Sequence, residues 1–173
     1  MSRQPQPPPL TQRGGVWPAR RSPLNGPTHL LFVYGTLMRA ASECRLGADM
    51  RQRLERAGEW LGPATIAGRL YDRGRYPLLV DAGIPHELAH GEVYRLAMPR
   101  AVFAWLDPYE GVPSGRSDGR EYARTVRTIR RPNAAPCLAW VYLSVGPVAG
   151  LRRIAEGRWR PGAARRACRS APA

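Results

Sequence analysis

The sequence LLFVYGTLM at residues 30–38 is the feature that most constrains the fold. Its first part is short, apolar, aromatic and β-branched, and it lies between Pro27 and Gly35, which predicts a buried β-strand ending at a tight turn. Gly35 has no Cβ, so it permits unusual backbone dihedrals and lets a ligand approach the main chain. Consecutive backbone N–H groups at such a turn can hold an anion. The pattern also fits a strand that simply turns, so the role of the turn depends on the rest of the chain.

The remaining periodic segments alternate between short strands and two helices. One helix is predicted from Asp49, as its N-cap, to Gly58, and a second is predicted to begin at Pro99 and to stop at Asp107-Pro108. Strands are predicted over residues 60–71, 76–80, 88–96, 121–130 and 137–145, followed by a short helix over 151–154. Because strands outnumber the helices that interrupt them, we predict an α+β fold: a small mixed, mostly antiparallel β-barrel with flanking short helices.

The charge of the chain is concentrated at its two ends. All 27 basic residues are arginine, the net charge is +14, and residues 1–28 and 160–173 each carry four arginines and no acid. We predict a disordered Pro/Arg-rich tail over 1–28, one folded domain over 29–159 and a basic tail over 160–173. Basic tails can associate with nucleic acid. The middle segment has no recognised nucleic-acid motif, which favours solvated tails and no specific nucleic-acid partner.

Three further features predict a cytoplasmic location. No apolar run approaches the roughly 18 residues that span a bilayer, so no membrane partner is expected. Prolines at positions 5, 7, 8 and 9 stand where a signal peptide needs an apolar segment. Cys44, Cys137 and Cys168 are odd in number and scattered, which is typical of reduced thiols rather than of a disulfide framework.

Several kinds of catalytic site are not indicated by the sequence. His29, His86 and His90 lack the spacing of metal ligands and there is no Cys-x-x-Cys pair, so no metal is expected. No Gly-x-Ser-x-Gly elbow is present, and no signature places a histidine beside Cys44. The chain also lacks Gly-x-Gly-x-x-Gly and P-loop motifs, so no nucleotide cofactor is expected.

Two carboxylates remain as candidates for acid–base chemistry. Glu110 follows the second predicted helix, between Tyr109 and Gly111. It is either exposed on a loop or directed into a pocket, where burial would raise its pKa and make it a usable general base near neutral pH. Glu92, on a central strand, is the alternative, and its structural interpretation is a buried carboxylate paired with an arginine such as Arg124.

Five short motifs in this order resemble the gamma-glutamylcyclotransferase-like family. They are Val33-Tyr34-Gly35-Thr36-Leu37, Tyr76-Pro77-Leu78, Gly91-Glu92-Val93-Tyr94, Leu106-Asp107-Pro108-Tyr109-Glu110-Gly111 and Tyr122-Ala123-Arg124. The late Gly157-Arg158-Trp159 is similar to the Gly-Asp-Trp ending of some bacterial members. The resemblance covers residues 30 to about 159, and leucine after Tyr-Pro favours the gamma-glutamylamine cyclotransferase branch.

The resemblance implies both a fold and a reaction. Family members have a small mixed β-barrel and convert a γ-glutamyl amide into 5-oxoproline and a free amine, without metal or cofactor. The resemblance places the catalytic glutamate at Glu110. It assigns substrate binding to a turn formed by Tyr34, Gly35, Thr36 and Leu37 (the 34–37 turn), with Tyr76 and Tyr122 as candidates for the pocket wall. A non-catalytic module that binds a small ligand or a partner on the same fold is the first alternative, and a protein that binds nucleic acid through its arginine tails is the second.

Overall fold

The computed structural model describes residues 28–81, 87–112 and 121–161. The elements in chain order are β1 (Leu30–Val33), a 3₁₀ turn (Arg39–Ala41), α1 (Ala48–Ala57), β2 (Gly58–Ala67), β3 (Arg69–Asp72), β4 (Pro77–Val80), β5 (Leu88–Leu96), α2 (Pro99–Tyr109), β6 (Tyr122–Arg130), β7 (Cys137–Ser144) and β8 (Arg152–Ile154). Nearly all of the two predicted tails lies outside the described residues. Among the helices described, none is long and apolar enough to cross a membrane.

Five strands close into a barrel in the order β1-β5-β2-β6-β7, and the seam between β1 and β7 is the parallel pairing. The other three strands form a separate sheet in the order β4-β3-β8. The predicted α+β fold, with a small mixed and mostly antiparallel barrel and flanking short helices, is confirmed. We expected about six strands in one curled sheet, whereas the chain divides eight strands between two sheets.

The predicted first strand is deeply buried in the barrel. Leu31 and Phe32 are at most 1% exposed, and β1 lies between β5 and β7. Gly91 on β5 permits this close packing, because a Cβ at that position would collide with the carbonyl of Val33 and the ring of Phe32. The apolar run thus forms the barrel core, and its end carries the 34–37 turn.

Two boundary predictions for the first half of the chain differ from the structure. Residues 60–71 were predicted as one strand but form β2 and β3, which belong to different sheets. The break falls at Gly68, where a Cβ would lie 2.7 Å from the side chain of Leu79. The predicted start of the first helix is also wrong, because the N-cap of α1 is Gly47 rather than Asp49. Its predicted end is confirmed: Gly58 is the C-cap of α1, and β2 begins at the same residue without a loop.

The predicted short helix over 151–154 is wrong. Arg152–Ile154 is a strand that pairs with β3, and Ile154 lies buried opposite Leu70. The exposed guanidinium of Arg152 contacts the Asp72 carboxylate at 2.6 Å. A segment of three residues is too short for its own periodicity to distinguish helix from strand, and pairing with β3 decides the outcome.

Candidate active site

The end of α2 fixes the position of Glu110. The helix continues to Tyr109 rather than stopping at Asp107-Pro108 as predicted, since a proline in the last turn removes a single helix hydrogen bond. Gly111 has a left-handed φ of 67°, its N–H donates to the Pro108 carbonyl at 3.2 Å, and the Val112 N–H donates to the Asp107 carbonyl at 2.8 Å. These two bonds form a Schellman motif, so Glu110 occupies the C-cap position.

Gly111→Ala is expected to destabilise the protein by about 1–2 kcal/mol, because a residue with a Cβ pays that cost in the left-handed region. No described atom lies within 4 Å of the added methyl group, so the effect comes from the backbone and not from a clash. Urea denaturation measures it. Gly111→Asn is the control, because asparagine tolerates this conformation and should recover part of the loss. Equal stability of the alanine variant and the wild type would contradict the capping role.

A cavity of about 330 Å³ lies between the 34–37 turn, the end of α2 and the start of β6. All seven residues that the family resemblance assigned to the site line it: Tyr34, Gly35, Thr36, Leu37, Tyr76, Glu110 and Tyr122. Further walls come from other residues of the same motifs, Val33, Pro77, Pro108, Tyr109 and Gly111, and from four residues outside the motifs: Phe32, Leu46, Glu121 and Tyr142. The structure therefore brings together motifs that are up to 88 positions apart in the sequence.

The 34–37 turn presents unpaired backbone N–H groups. The Met38 N–H donates to the Gly35 carbonyl at 3.0 Å and closes the turn, whereas the N–H groups of Gly35, Thr36 and Leu37 meet no acceptor in the described part of the chain. Gly35 does not use a left-handed φ, contrary to what we expected. Glycine is needed there because a Cβ would lie 2.9 Å from Cδ of Pro77, so the Tyr-Pro-Leu motif packs directly on the turn.

Glu110 is a partly buried carboxyl group with an elevated pKa. Burial raises its pKa to about 7, and the nearby Glu121 carboxylate acts in the same direction. No positive charge or hydrogen-bond donor within the described ranges offsets that rise. Glu110 is therefore close to half-protonated at neutral pH and can both accept and release a proton there.

The phenols around Glu110 stay neutral. Burial raises the pKa of Tyr34, Tyr76 and Tyr122, and neighbouring carboxylates add to each rise. Their hydroxyl groups are engaged as follows: Tyr34 donates to the Tyr142 carbonyl at 2.7 Å, Tyr122 to the Pro77 carbonyl at 3.2 Å, and Tyr76 to the Glu121 carboxylate at 3.2 Å. These side chains form an aromatic wall of the cavity. Among these four described groups, Glu110 is the one whose pKa lies near neutral pH.

The predicted pairing of Glu92 with Arg124 is wrong. β5 lies between β1 and β2 in the barrel, so Arg124 on β6 is not its neighbour. The Glu92 carboxylate instead accepts the backbone N–H groups of Arg39 at 2.7 Å and Ala40 at 3.1 Å, together with Nε1 of Trp60 at 3.2 Å. Glu92 does not line the cavity, whereas Glu110 and the residues of the 34–37 turn do.

Arg124 instead binds side chains of α2, the helix whose C-cap is Glu110. Its guanidinium forms two bonds to the Asp107 carboxylate, at 2.8 and 3.1 Å, and lies 3.9 Å over the ring of Phe103. The Tyr142 hydroxyl donates to the same carboxylate at 2.7 Å. Sequence reasoning missed Asp107 and Tyr142, because their contacts depend on the order of the strands in the barrel.

The described residues contain no group of three or more His, Cys, Asp and Glu side chains that could hold a metal ion. His86, one of the three histidines considered from the sequence, lies outside those residues. Cys44 and Cys137 are free thiols.

Residues 31–161 match the family described as gamma-glutamyl cyclotransferase, AIG2-like. The chain belongs to this family. A relative in this family, the "Gamma-glutamylcyclotransferase family protein YtfP" of Escherichia coli, is 31% identical over 136 residues, which cover 75% of this chain and 94% of that protein. The resemblance inferred from the five motifs is confirmed, and the family supports a cyclotransferase-like enzyme.

Solved structures of the gamma-glutamyl cyclotransferase, AIG2-like family agree with the fold. The solution structure of E. coli ytfP gives a TM-score of 0.50 at 31% identity and covers 75% of this chain and 95% of that one. The crystal structure of a mouse AIG2-like protein gives a TM-score of 0.53 at 20% identity, with coverage of 79% and 97%, and this likeness concerns the fold alone.

Proposed function

We propose that the protein cleaves a γ-glutamyl amide by intramolecular cyclisation, releasing 5-oxoproline and a free amine. The observation that carries this proposal is the position of Glu110, whose pKa is about 7, in one cavity with the unpaired N–H groups of the 34–37 turn. A base and a set of anion-binding donors on the walls of one cavity are what such a reaction requires.

The reaction needs a positioned substrate more than a reactive side chain. The substrate's own α-amine attacks its γ-carbonyl, a C–N bond closes the five-membered ring, and the original amide C–N bond breaks. The α-nitrogen loses two protons as it becomes the ring N–H: Glu110 takes the first from the α-ammonium group and the second as the ring closes, and passes both to the departing nitrogen, which leaves as an ammonium ion. Neither water nor a redox partner is consumed. Since both reacting groups belong to one molecule, the enzyme mainly has to hold the glutamyl arm in a bent conformation.

The cavity supports this assignment by its size and its walls. Its volume of about 330 Å³ lies at the small end of the roughly 300–1,000 Å³ that ligand sites occupy, which suits a glutamyl group better than a large cofactor. The N–H groups of Gly35, Thr36 and Leu37 would bind the α-carboxylate or the developing oxyanion. Tyr76 and Tyr122 would contact the glutamyl chain.

The remaining parts of the proposal concern substrate choice and partners. The Tyr76-Pro77-Leu78 sequence favours γ-glutamylamines as substrates. We propose a small-molecule substrate with no metal, no cofactor and no specific nucleic-acid or membrane partner, in the cytoplasm.

A panel of γ-glutamyl amides tests the activity, with 5-oxoproline measured by chromatography. The panel should include γ-glutamyl derivatives of simple alkylamines, of the lysine side chain and of α-amino acids. Release from at least one member is expected, with the alkylamine and lysine derivatives preferred. Binding of several members without any 5-oxoproline would contradict the proposal and favour the non-catalytic binding module.

The rate of 5-oxoproline release is expected to rise with pH through a midpoint near 7, because Glu110 must be deprotonated to act as the base. Removing the neighbouring charge in Glu121→Gln should lower the pKa of Glu110 and shift the midpoint down by up to about one pH unit. Profiles of kcat/KM against pH for both proteins measure the shift. Glu156→Gln, a change at an exposed carboxylate that does not line the cavity, should leave the midpoint in place. An upward shift in Glu121→Gln would contradict this assignment.

A further inference from the structure

Arg51 is a buried cation that has no acidic partner among the described residues. It lies in the first turns of α1 and is 7% exposed. Within the described residues eight other arginines form ion pairs with Asp or Glu, and Arg51 does not. Its guanidinium donates instead to three backbone carbonyls, of Thr36 at 2.7 Å, Ser42 at 3.3 Å and Cys44 at 3.3 Å. Burying a positive charge without a counter-ion costs folding free energy. The burial of Arg51 therefore indicates a role other than stabilising the fold.

The shortest of these bonds sets the direction of a peptide group in the 34–37 turn. In a trans peptide the carbonyl and the following N–H point in opposite directions. The Thr36 carbonyl points at Arg51, which is outside the cavity, so the Leu37 N–H points away from Arg51, and Leu37 lines the cavity. A bond from a charged donor also polarises this peptide group and strengthens its N–H as a donor.

We propose that Arg51 is a positioning residue that makes the 34–37 turn selective for an ionised carboxylate, so that the enzyme takes γ-glutamyl compounds whose α-carboxylate is free. This inference rests on the proposed function. Arg51 acts from behind the turn: it orients the Leu37 N–H and adds the positive potential of a full charge to that of the N–H groups, which no described residue accepts. A purely structural Arg51 would hold the loop in place and would affect charged and neutral ligands equally.

The test compares two probes that differ in one charge, 5-oxoproline and its carboxamide, with binding measured by calorimetry or ligand-observed NMR. Wild-type protein is expected to bind the carboxylate at least about tenfold more tightly, the scale of one charge-assisted hydrogen bond. Arg51→Gln keeps a donor for the Thr36 carbonyl but removes the charge, and should reduce the ratio several-fold. Arg51→Lys keeps the charge and should retain part of the ratio.

Arg53→Met is the matched control. Arg53 lies on the same helix, is exposed and stacks on Trp105 at 4.5 Å, away from the turn, so its variant should keep the wild-type ratio. Equal binding of the two probes by the wild type would overturn the inference, and so would an unchanged ratio in a folded Arg51→Gln protein. The first of these outcomes is measured on the wild-type protein, so it does not depend on whether a variant folds.

Turnover assays separate this inference from the function on which it rests. If the wild type releases 5-oxoproline but the ratio does not depend on Arg51, the role of Arg51 is refuted and the reaction stands. If no γ-glutamyl amide is turned over while the ratio falls as expected, the proposed reaction is refuted, and Arg51 remains the determinant of carboxylate binding.

Discussion

Glu110→Gln is expected to lower the rate of 5-oxoproline release by about 10²–10⁴-fold, the usual effect of removing a positioned general base. Glutamine has nearly the same shape and keeps the C-cap position, so the Schellman turn should form as before. Steady-state kinetics measure the loss, and circular dichroism checks the fold. Glu156→Gln removes an exposed carboxylate outside the cavity and should retain full activity. Release at the wild-type rate by a folded Glu110→Gln protein would exclude Glu110 as the base.

The same substitution should stabilise the protein at alkaline pH. The pKa of Glu110 is raised in the folded protein, to about 7, above its value in the unfolded chain, so the native state binds the extra proton between these two values. The wild type therefore loses stability as the pH rises through that interval, whereas the glutamine variant does not. Above pH 7 we expect the variant to be more stable by at most on the order of 2 kcal/mol. This value is an upper one because solvent screens the partly exposed carboxylate. Denaturant unfolding at pH 4 and pH 8 measures the difference.

Gly91→Ala is expected to cost about 3 kcal/mol, the upper end of the usual penalty for overpacking, because the new methyl group meets backbone as well as side chain. The Val33 carbonyl belongs to a barrel strand and cannot move without disturbing its pairing with β5. For a chain of this size the melting temperature should fall by roughly 6–12 °C. Activity should fall as well, since β1 leads directly into the 34–37 turn.

Gly146→Ala is the matched control for this prediction. Gly146 has no positive φ, and no atom of the described residues lies within 4 Å of the place that a Cβ would occupy. An alanine there should therefore change the stability by less than about 0.5 kcal/mol. Similar melting temperatures for the Gly91→Ala protein and this control would show that β1 and β5 can separate without cost.

The features that the sequence predicted correctly are local. The apolar run of β1 and the Glu-Gly sequence that ends α2 each depend on a few consecutive residues, so their patterns could be interpreted in isolation. The first helix is of the same kind: the helical spacing of Met50, Leu54 and Ala57 predicts a face directed at the core, and these three side chains do pack there.

The features that the sequence did not predict depend on which strands are neighbours. Arg124 was assigned to Glu92 because both lie on strands, but the barrel order places it beside Asp107. The need for glycine at position 35 comes from Pro77, which is distant in sequence and in the other sheet. Arg51 was not singled out, since an arginine on a polar helix normally faces solvent, and its burial depends on the path of residues 36–44. The loop that follows Glu110, residues 113–120, is outside the described residues.

The aromatic wall has a consequence for how the enzyme's titration can be read. The five tyrosines that line the cavity, Tyr34, Tyr76, Tyr109, Tyr122 and Tyr142, all have pKa values above the ordinary phenol value, with burial as the main cause in each. The chain contains no lysine. Between neutrality and about pH 10, no phenol or ammonium group of the cavity walls should therefore change charge. A second inflection of the kcat profile in that interval would report the α-ammonium group of the bound substrate, which is the proposed nucleophile.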